Sequence, residues 1–554
     1  MSCKRRESAW AGVVISLAAT WTNIALAQEA GTQVAASADQ NASTDQAFDV
    51  FELRVLGNTV LPGRDIEQTV YPFLGRNKTL KDMEAARVAL ETFYHQRGYD
   101  TVYVDIPEQT VDSGIVRLKV TEATLHSVQV SGARYFSGRE IKAALPAAQE
   151  GKTPSIPELQ AQLAQLNAQS GDRVVVPVLK AGSTPGTVDL TLKVDDHLPL
   201  HASLELNNQY TASTKPLRAI AGVSYDNLFG RFDSIGVQYQ TAPQDRRQVD
   251  VWMFNYGTNL FDSVTRLAFY YFKSNSQVAT LATADASVTV LGNGQVGGVR
   301  LIQPVASSAT SLQSLTLGFD YKNFLEDIRL QSAATSGDGG NSGSSGLSTP
   351  ITYANVSLGY SGGWRRERTQ WTFGASANFG IRSWQNDTQE FENKRYKARP
   401  NYFDVRSEGR VRFTLPANFS LQLRYSGQYA ADPIISNEQF AIAGADGVRG
   451  YLEAEALADR GVKAAAQFGL PEWSLFKSKL ALNAFTFFDY GVISVVNPLP
   501  EEITSTSLQS WGAGVDLSAF SHMTGSLVWA YPLKDATHTQ RGDSRVLFNV
   551  RTTW

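Results

Sequence analysis

Residues 403–413 read Phe-Asp-Val-Arg-Ser-Glu-Gly-Arg-Val-Arg-Phe. Phe403, Val405, Val411 and Phe413 take the odd positions, while Asp404, Arg406, Glu408, Arg410 and Arg412 take the even ones. Successive side chains of an extended chain point to opposite faces, so this is a strand with one apolar and one strongly charged side. Other segments repeat the pattern. Along 418–429, Phe419, Leu421, Leu423 and Tyr425 oppose Asn418, Ser420, Gln422 and Arg424. Along 315–322, Leu315, Leu317, Phe319 and Tyr321 alternate with Thr316, Gly318, Asp320 and Lys322. A soluble sandwich would bury the apolar face and wet the polar one. It would not need so many long strands in succession.

Working outward, about sixteen such segments fit between His201 and Trp554, each close to the roughly 9–11 residues that cross a bilayer when tilted. They begin near residues 202, 217, 233, 248, 264, 295, 312, 351, 369, 402, 419, 460, 479, 508, 524 and 545. Short connections (226–232, 258–263, 415–418, 470–478, 518–523) interleave with longer ones (274–294, 324–350, 381–401, 431–459, 490–507). That asymmetry marks a transmembrane antiparallel β-barrel over 199–554. An even strand total returns the C-terminus to the periplasmic side, although 286–301 could add a hairpin within a loop. Trp554 ends the last strand on the face of Phe548 and Val550. Closure is required, because an open sheet edge in hydrocarbon would cost several kcal/mol per unpaired backbone group. The charged faces then line a wet lumen, which favours conduction over anchoring.

The N-terminus reads as an export signal. Lys4, Arg5 and Arg6 precede the apolar run Ala11–Ala19, and Ala25-Leu26-Ala27 has the small-x-small cleavage pattern, giving a signal peptide over 1–27. The single cysteine, Cys3, precedes the apolar run, so it is no lipoprotein acceptor and leaves the mature chain without disulfides or a thiol metal site. No later stretch has the eighteen or so apolar residues of a membrane helix. A net charge of −3 gives no electrostatic reason to bind nucleic acid. Residues 28–47 are polar and small, a disordered lead-in.

Between lead-in and barrel the sequence repeats. Val55-Leu56-Gly57-Asn58 recurs as Val130-Ser131-Gly132-Ala133, Ile66 as Ile141, and Leu118-Lys119-Val120 as Leu192-Lys193-Val194. A period of about 75 residues suits two small α+β modules, 48–123 and 124–198, each β-α-α-β-β. In the first, Thr79 and Asp82 predict a capping box, Ala86, Leu90 and Phe93 share a helical face, and Gly98 ends the helix. In the second, Ser155 and Glu158 repeat the capping logic, Leu159, Leu163 and Leu166 form the buried stripe, and Gly171 ends it. Such modules leave a sheet edge that can receive an extended peptide, or they serve as spacers.

Signals for chemistry are poor. Gly292-Asn293-Gly294-Gln295-Val296-Gly297 fits GxGxxG but precedes a strand, so no dinucleotide site is expected. His197 and His201 flank Pro199 at a junction and read as linker residues rather than metal ligands. No nucleophile elbow, HExxH site, metal or cofactor is expected.

The remaining feature is Gly444-Ala445-Asp446-Gly447-Val448-Arg449-Gly450-Tyr451, in the connection between strands eleven and twelve. By itself it is a glycine-rich turn with one arginine. Together with Phe487-Phe488-Asp489-Tyr490-Gly491 on strand thirteen, two repeated modules and a sixteen-strand barrel, it resembles the transporters of two-partner secretion, the TpsB family to which FhaC and ShlB belong. The resemblance covers essentially the whole mature chain. It identifies the modules as POTRA-like, Val448, Arg449, Gly450 and Tyr451 as a lumenal loop motif, and Phe487, Asp489 and Gly491 as a barrel-wall motif. It further implies an Arg449–Asp489 salt bridge. Asp489 shares an inner face with Asn483, Phe485, Phe487 and Gly491, so the loop can pack there. Family members often plug the barrel with an N-terminal helix, but the twenty or so residues before Phe48 lack helical patterning.

The resemblance implies an outer-membrane translocator with periplasmic modules, working without ATP in type V secretion. Its partners would be a secreted exoprotein, outer-membrane lipid and the barrel assembly machinery for its own insertion. The rivals are an assembly factor that inserts other barrels, a passive sixteen-strand porin and, last, an outer-membrane enzyme.

Overall fold

The computed structural model describes residues 47–554 apart from 112, 261–263, 277–278, 281–289, 309, 326, 330–345, 383–386, 477–478 and 501. The signal peptide, Cys3 and nearly all of the lead-in lie outside the described residues. The chain divides between Leu198 and Pro199 into a module unit and a barrel unit.

Thr79 sets where the long helix of the first module begins. Its hydroxyl accepts from Asp82 N (3.4 Å) while the Asp82 carboxylate accepts from Thr79 N (2.8 Å), a reciprocal capping box. The elements are β1 (Glu52–Leu56), α1 (Gly63–Val70), α2 (Leu80–Gln96), β2 (Val102–Asp105) and β3 (Ile115–Glu122). The sheet order is β1-β3-β2, with β1 parallel and β2 antiparallel to β3. Ala86 and Leu90 are buried as their spacing requires. Tyr94 takes the fully buried place beside them, and Phe93 is only partly covered. Gly98 leaves the helix at φ +88°, where a side chain would be strained.

The second module repeats the plan with β4 (Thr124–Ser131), α3 (Gly138–Ala143), α4 (Ile156–Ala168), β5 (Arg173–Ala181) and β6 (Thr187–Asp196), ordered β4-β6-β5. The repeated glycines, Gly57 and Gly132, both sit at φ +89°, where a Cβ would collide with the carbonyl oxygens of Val120 and Val194 respectively. Leu159, Leu163 and Leu166 are buried on α4. One expectation fails here. Ser155 makes no side-chain cap: Pro157 removes one donor of the first turn, Ile156 N donates to Gly98 O at 2.9 Å, and Glu158 instead accepts from Gln162. The helix ends at Ala168, ahead of Gly171, and in the following turn Asp172 N donates to Ser170 Oγ at 3.2 Å. Asp196 closes the module by accepting from the backbone N–H groups of Arg134, Tyr135 and Phe136 at 2.8–3.1 Å. Burial pushes this carboxyl up, but the three donors outweigh it and hold it below the usual aspartate value.

The barrel closes with sixteen antiparallel strands. They are β7 (Leu200–Asn207), β8 (Arg218–Leu228), β9 (Asp233–Thr241), β10 (Asp250–Asn259), β11 (Arg266–Ser274), β12 (Gly294–Ser308), β13 (Ser311–Phe324) and β14 (Ile351–Arg366), followed by β15 (Thr369–Gly380), β16 (Phe403–Thr414), β17 (Ser420–Ala430), β18 (Arg460–Gly469), β19 (Leu480–Ser494), β20 (Ser505–Ala519), β21 (Met523–Pro532) and β22 (Arg545–Thr553). A short Trp473–Leu475 segment continues β18 against β19. The seam joins β22 to β7, from Asn549↔Asn207 to Thr553↔Ser203. The fifth long connection is shorter than the alternation implied, because β19 runs to Ser494 and β20 starts at Ser505. Ala279–Thr280 and Val290–Leu291 pair within a loop, as a hairpin there allows. Gly294 opens β12, so the GxGxxG stretch leads into a strand.

Side chains divide as a membrane barrel needs. Leu315, Leu317, Leu358, Leu423, Phe488 and Leu527 face outward and are exposed, while Asp320, Lys322, Asp404 and Asp489 face inward. Exposed aromatics gather at the short-turn end: Phe229, Trp473, Phe476, Phe520 and Trp554, with Trp364 stacked on Trp371 at 4.0 Å. At the long-loop end, α5 (Thr388–Lys394) places Phe391 inside an apolar cluster with Phe324, Tyr353, Tyr402, Ile434 and Ile435.

Candidate functional site: a loop seated in the barrel

The loop between β17 and β18 turns inward and packs on the inner face of β19. Ile442, Val448 and Tyr451 are buried with Phe440, Ile493 and Leu508. Val448 N donates to Ile442 O at 2.7 Å, which folds the glycine-rich tip back on its own stem. Gly450 has φ +97°, a left-handed turn between Arg449, which reaches Asp489, and Tyr451, which reaches Gln509 and Lys534. The Tyr451 hydroxyl donates toward Lys534 O (2.8 Å) or Gln509 O (3.0 Å) and accepts from Lys534 N (3.2 Å). Gly491 makes the approach possible, since a Cβ there would lie 3.0 Å from Ile442 Cβ and Val448 Cγ2.

Arg449 reaches β19. Its Nε donates to Asp489 Oδ2 (2.7 Å), its Nη2 to Oδ1 (2.8 Å), and its backbone N–H also to Oδ2 (3.1 Å). Nη1 donates to Gln467 Oε1 at 3.2 Å, and the guanidinium lies 3.4 Å from the centroid of the Phe487 ring. The two charged side chains are 8 % and 0 % exposed, so this is a planar, bidentate, desolvated pair. Phe487 is in turn seated against Gly512, where a Cβ would be 2.7 Å from the ring. The structure therefore brings Arg449, Phe487, Asp489 and Gly491 together, with Val448, Gly450 and Tyr451 shaping the loop.

Sequence reasoning missed the anchors at the loop's stem. Glu438 is 2 % exposed at its side chain and meets Lys322 Nζ (2.5 Å), Tyr353 Oη (2.6 Å) and Arg406 Nη2 (3.1 Å). Arg395, just after α5, makes a two-pronged pair with Asp459 (2.5 and 2.7 Å). Glu455 accepts from His538 N and Thr539 N and so fastens the loop to the β21–β22 connection. The available signal was a carboxylate at 438 flanked by Ile434, Ile435 and Phe440. The sequence also holds one catalytic spacing: Gly359-Tyr360-Ser361-Gly362-Gly363 fits GxSxG. It lies within β14, where Ser361 Oγ meets Ser314 Oγ at 2.8 Å, and no strand-to-helix elbow exists.

Residues 186–518 match the family described as haemolysin secretion/activation protein ShlB/FhaC/HecB. The chain belongs to this family. Residues 48–123 match the POTRA domain, ShlB-type. Among curated relatives, the outer membrane transporter CdiB of Dickeya dadantii is 22 % identical over 487 residues, 87 % of this chain and 82 % of that protein. The heme/hemopexin transporter protein HuxB of Haemophilus influenzae (strain 86-028NP) is 21 % identical over 461 residues, 80 % of this chain and 76 % of that protein. Among solved structures, CdiB from Escherichia coli superposes with a TM-score of 0.73 at 18 % identity, covering 94 % of this chain and 93 % of its own. As a ShlB/FhaC/HecB-family member this is an outer-membrane transporter of a partner protein, with POTRA-type modules on the periplasmic side.

Proposed function

We propose that this transporter carries an unfolded exoprotein from periplasm to cell surface without ATP, and that seating and release of the loop tip at Asp489 govern passage. The observation that carries this reading is the buried Arg449–Asp489 pair holding a glycine-rich tip inside the barrel. A pair that can be released and remade suits a latch better than apolar packing, because its geometry defines one seat. The modules, 48–123 and 124–198, feed the barrel at 199–554: sheet orders β1-β3-β2 and β4-β6-β5 put β2 and β5 at antiparallel edges. While Arg87, Glu91 and His95 of α2 bond the outer backbone groups of β2, Asn167 covers only Val175 on β5, which leaves the rest of that edge for strand addition. Folding of the cargo outside supplies the drive. No catalytic step, metal or cofactor enters. Lipid contacts the exposed apolar wall, and the barrel assembly machinery inserts the barrel.

Insertion of other barrels is the second reading; a BamA structure from Haemophilus ducreyi shares the fold alone, with a TM-score of 0.51 at 12 % identity. Two modules rather than more weigh against it. Deleting residues 48–198 tests the proposal: export of the partner exoprotein is expected to stop while the barrel still inserts. Undiminished export would overturn the role of the modules, and a chain that acted as a porin would keep only its solute flux.

A further inference from the structure

Among the described residues, three arginines on the inner wall have no hydrogen-bonded or ion-pair partner. Asp404 is fully buried and Val405 exposed, so the even positions of β16 face the lumen, Arg410 and Arg412 among them. On β17 the buried Gln428 marks the even positions as inward, which places Arg424 on the same wall. The register sets Arg410 directly opposite Arg424 and Arg412 opposite Gln422. Lys463, on β18 opposite Ser426, extends the series upward and donates to Ala441 O in the loop stem. The four cations climb from the short-turn, periplasmic end to just beneath the loop tip.

Among the described residues, no carboxylate lies within 4.0 Å of Arg410, Arg412 or Arg424, and none of the three makes a hydrogen bond. Arg424 Nη2 is buried and unpartnered. Asp446 and Asp489 act on Arg424 only at longer range, Asp516 acts so on Arg412, and Glu408 faces inward on the same strand. Arg410 and Arg412 are exposed although they face inward, so the lower lumen is open to water and to solutes. Like charges directly across a strand pair are destabilising. Elsewhere on this wall arginines are matched: Arg406 with Asp404 and Glu438, and Arg300 with Asp320. An unmatched cross-strand pair with free guanidinium forks is therefore arranged for an anion from outside the fold, and planar forks suit carboxylates.

We propose that the Arg410–Arg412–Arg424 strip, with Lys463, is a lumenal binding track for acidic segments of an extended polypeptide entering from the periplasmic end. The inference rests on the lumen being the path of the cargo, but not on the latch or on the source of energy. It favours cargo whose acidic side chains reach the strip, and it draws them toward the tip held by Arg449.

The test is fluorescence anisotropy on the full-length protein in detergent with labelled deca-glutamate and deca-lysine peptides. Deca-glutamate is expected to bind and to weaken with added salt, while deca-lysine does not bind. The triple variant Arg410→Gln, Arg412→Gln, Arg424→Gln should lose about tenfold or more in affinity. The corresponding triple lysine variant should retain most of it, which separates charge from structure. Heat-dependent gel mobility checks that each barrel is folded. Equal binding of deca-glutamate by wild type and the glutamine variant would overturn the proposal, as would equal affinity for both peptides. Complete displacement by free glutamate at matched carboxylate concentration would reduce the site to one for small anions and overturn the polypeptide assignment. Because the protein is at rest in this assay, failure of export in cells leaves the outcome distinct.

Discussion

Replacing Asp489 by alanine leaves the Arg449 guanidinium inside the barrel without its carboxylate. The acid is fully buried and accepts three N–H bonds of 2.7–3.1 Å, all from Arg449. Gln467 and the Phe487 face remain, but neither carries a negative charge. Breaking a buried pair from one side costs about 3–5 kcal/mol. At about 1.4 kcal/mol per factor of ten, the seated tip loses between about a hundredfold and a few thousandfold of its advantage over released states. Hydrogen exchange of residues 442–451 in the full-length protein reads this directly. Those amides should exchange about a hundredfold faster or more in Asp489→Ala, with strands β8 to β11 unchanged as internal controls. The double variant Arg449→Met, Asp489→Leu should recover much of the loss, since an apolar pair of similar volume removes the stranded charge. Exchange at 442–451 that stays within a few fold of wild type in Asp489→Ala would refute the reasoning.

Other variants probe neighbouring parts of the structure. Gly491→Val pushes side-chain atoms into Ile442 and Val448, and should loosen the loop by about 1–3 kcal/mol, seen as faster exchange at 440–451 with the barrel still heat-modifiable. Glu438→Ala strands Lys322, whose side chain is fully buried, and should lower barrel stability by about 3–5 kcal/mol, read as a lower temperature of gel-mobility conversion. Leu90→Ala in the first module should cost about 2–5 kcal/mol, measured by exchange across α2. Asp196 has a folded pKa below its unfolded value, so its contribution is complete above about pH 4 and lost as pH falls through the lowered folded value. Exchange at residues 134–137 should therefore accelerate on acidification below that point, and Asp196→Asn should flatten the response.

What the sequence made legible followed local rules. Alternation along 403–413 and 315–322 located strands because a lipid-facing wall and a wet lumen impose opposite demands on neighbouring residues. The Gly57/Gly132 repeat was legible because a left-handed residue crowded by a carbonyl tolerates no side chain. Arg449 and Asp489 were paired through the resemblance, since nothing local says that a loop 40 residues away will fold inward. What stayed hidden depends on contacts between distant segments. Glu438 meets Lys322 and Tyr353 across more than 80 residues of chain, and Asp459 meets Arg395 across 64. The Ser155 cap failed for the same reason: Gly98, from the preceding module, satisfies the start of α4. The unmatched Arg410–Arg424 pair became visible only once the strand register was known.

The central claim is that the tip held by Arg449 governs passage through an otherwise intact barrel. The most direct measurement is export of the partner exoprotein by cells carrying Arg449→Ala, scored against the amount of heat-modifiable barrel in the outer membrane. Export falling to background with barrel levels unchanged is the expected result. Normal export by that variant would contradict it.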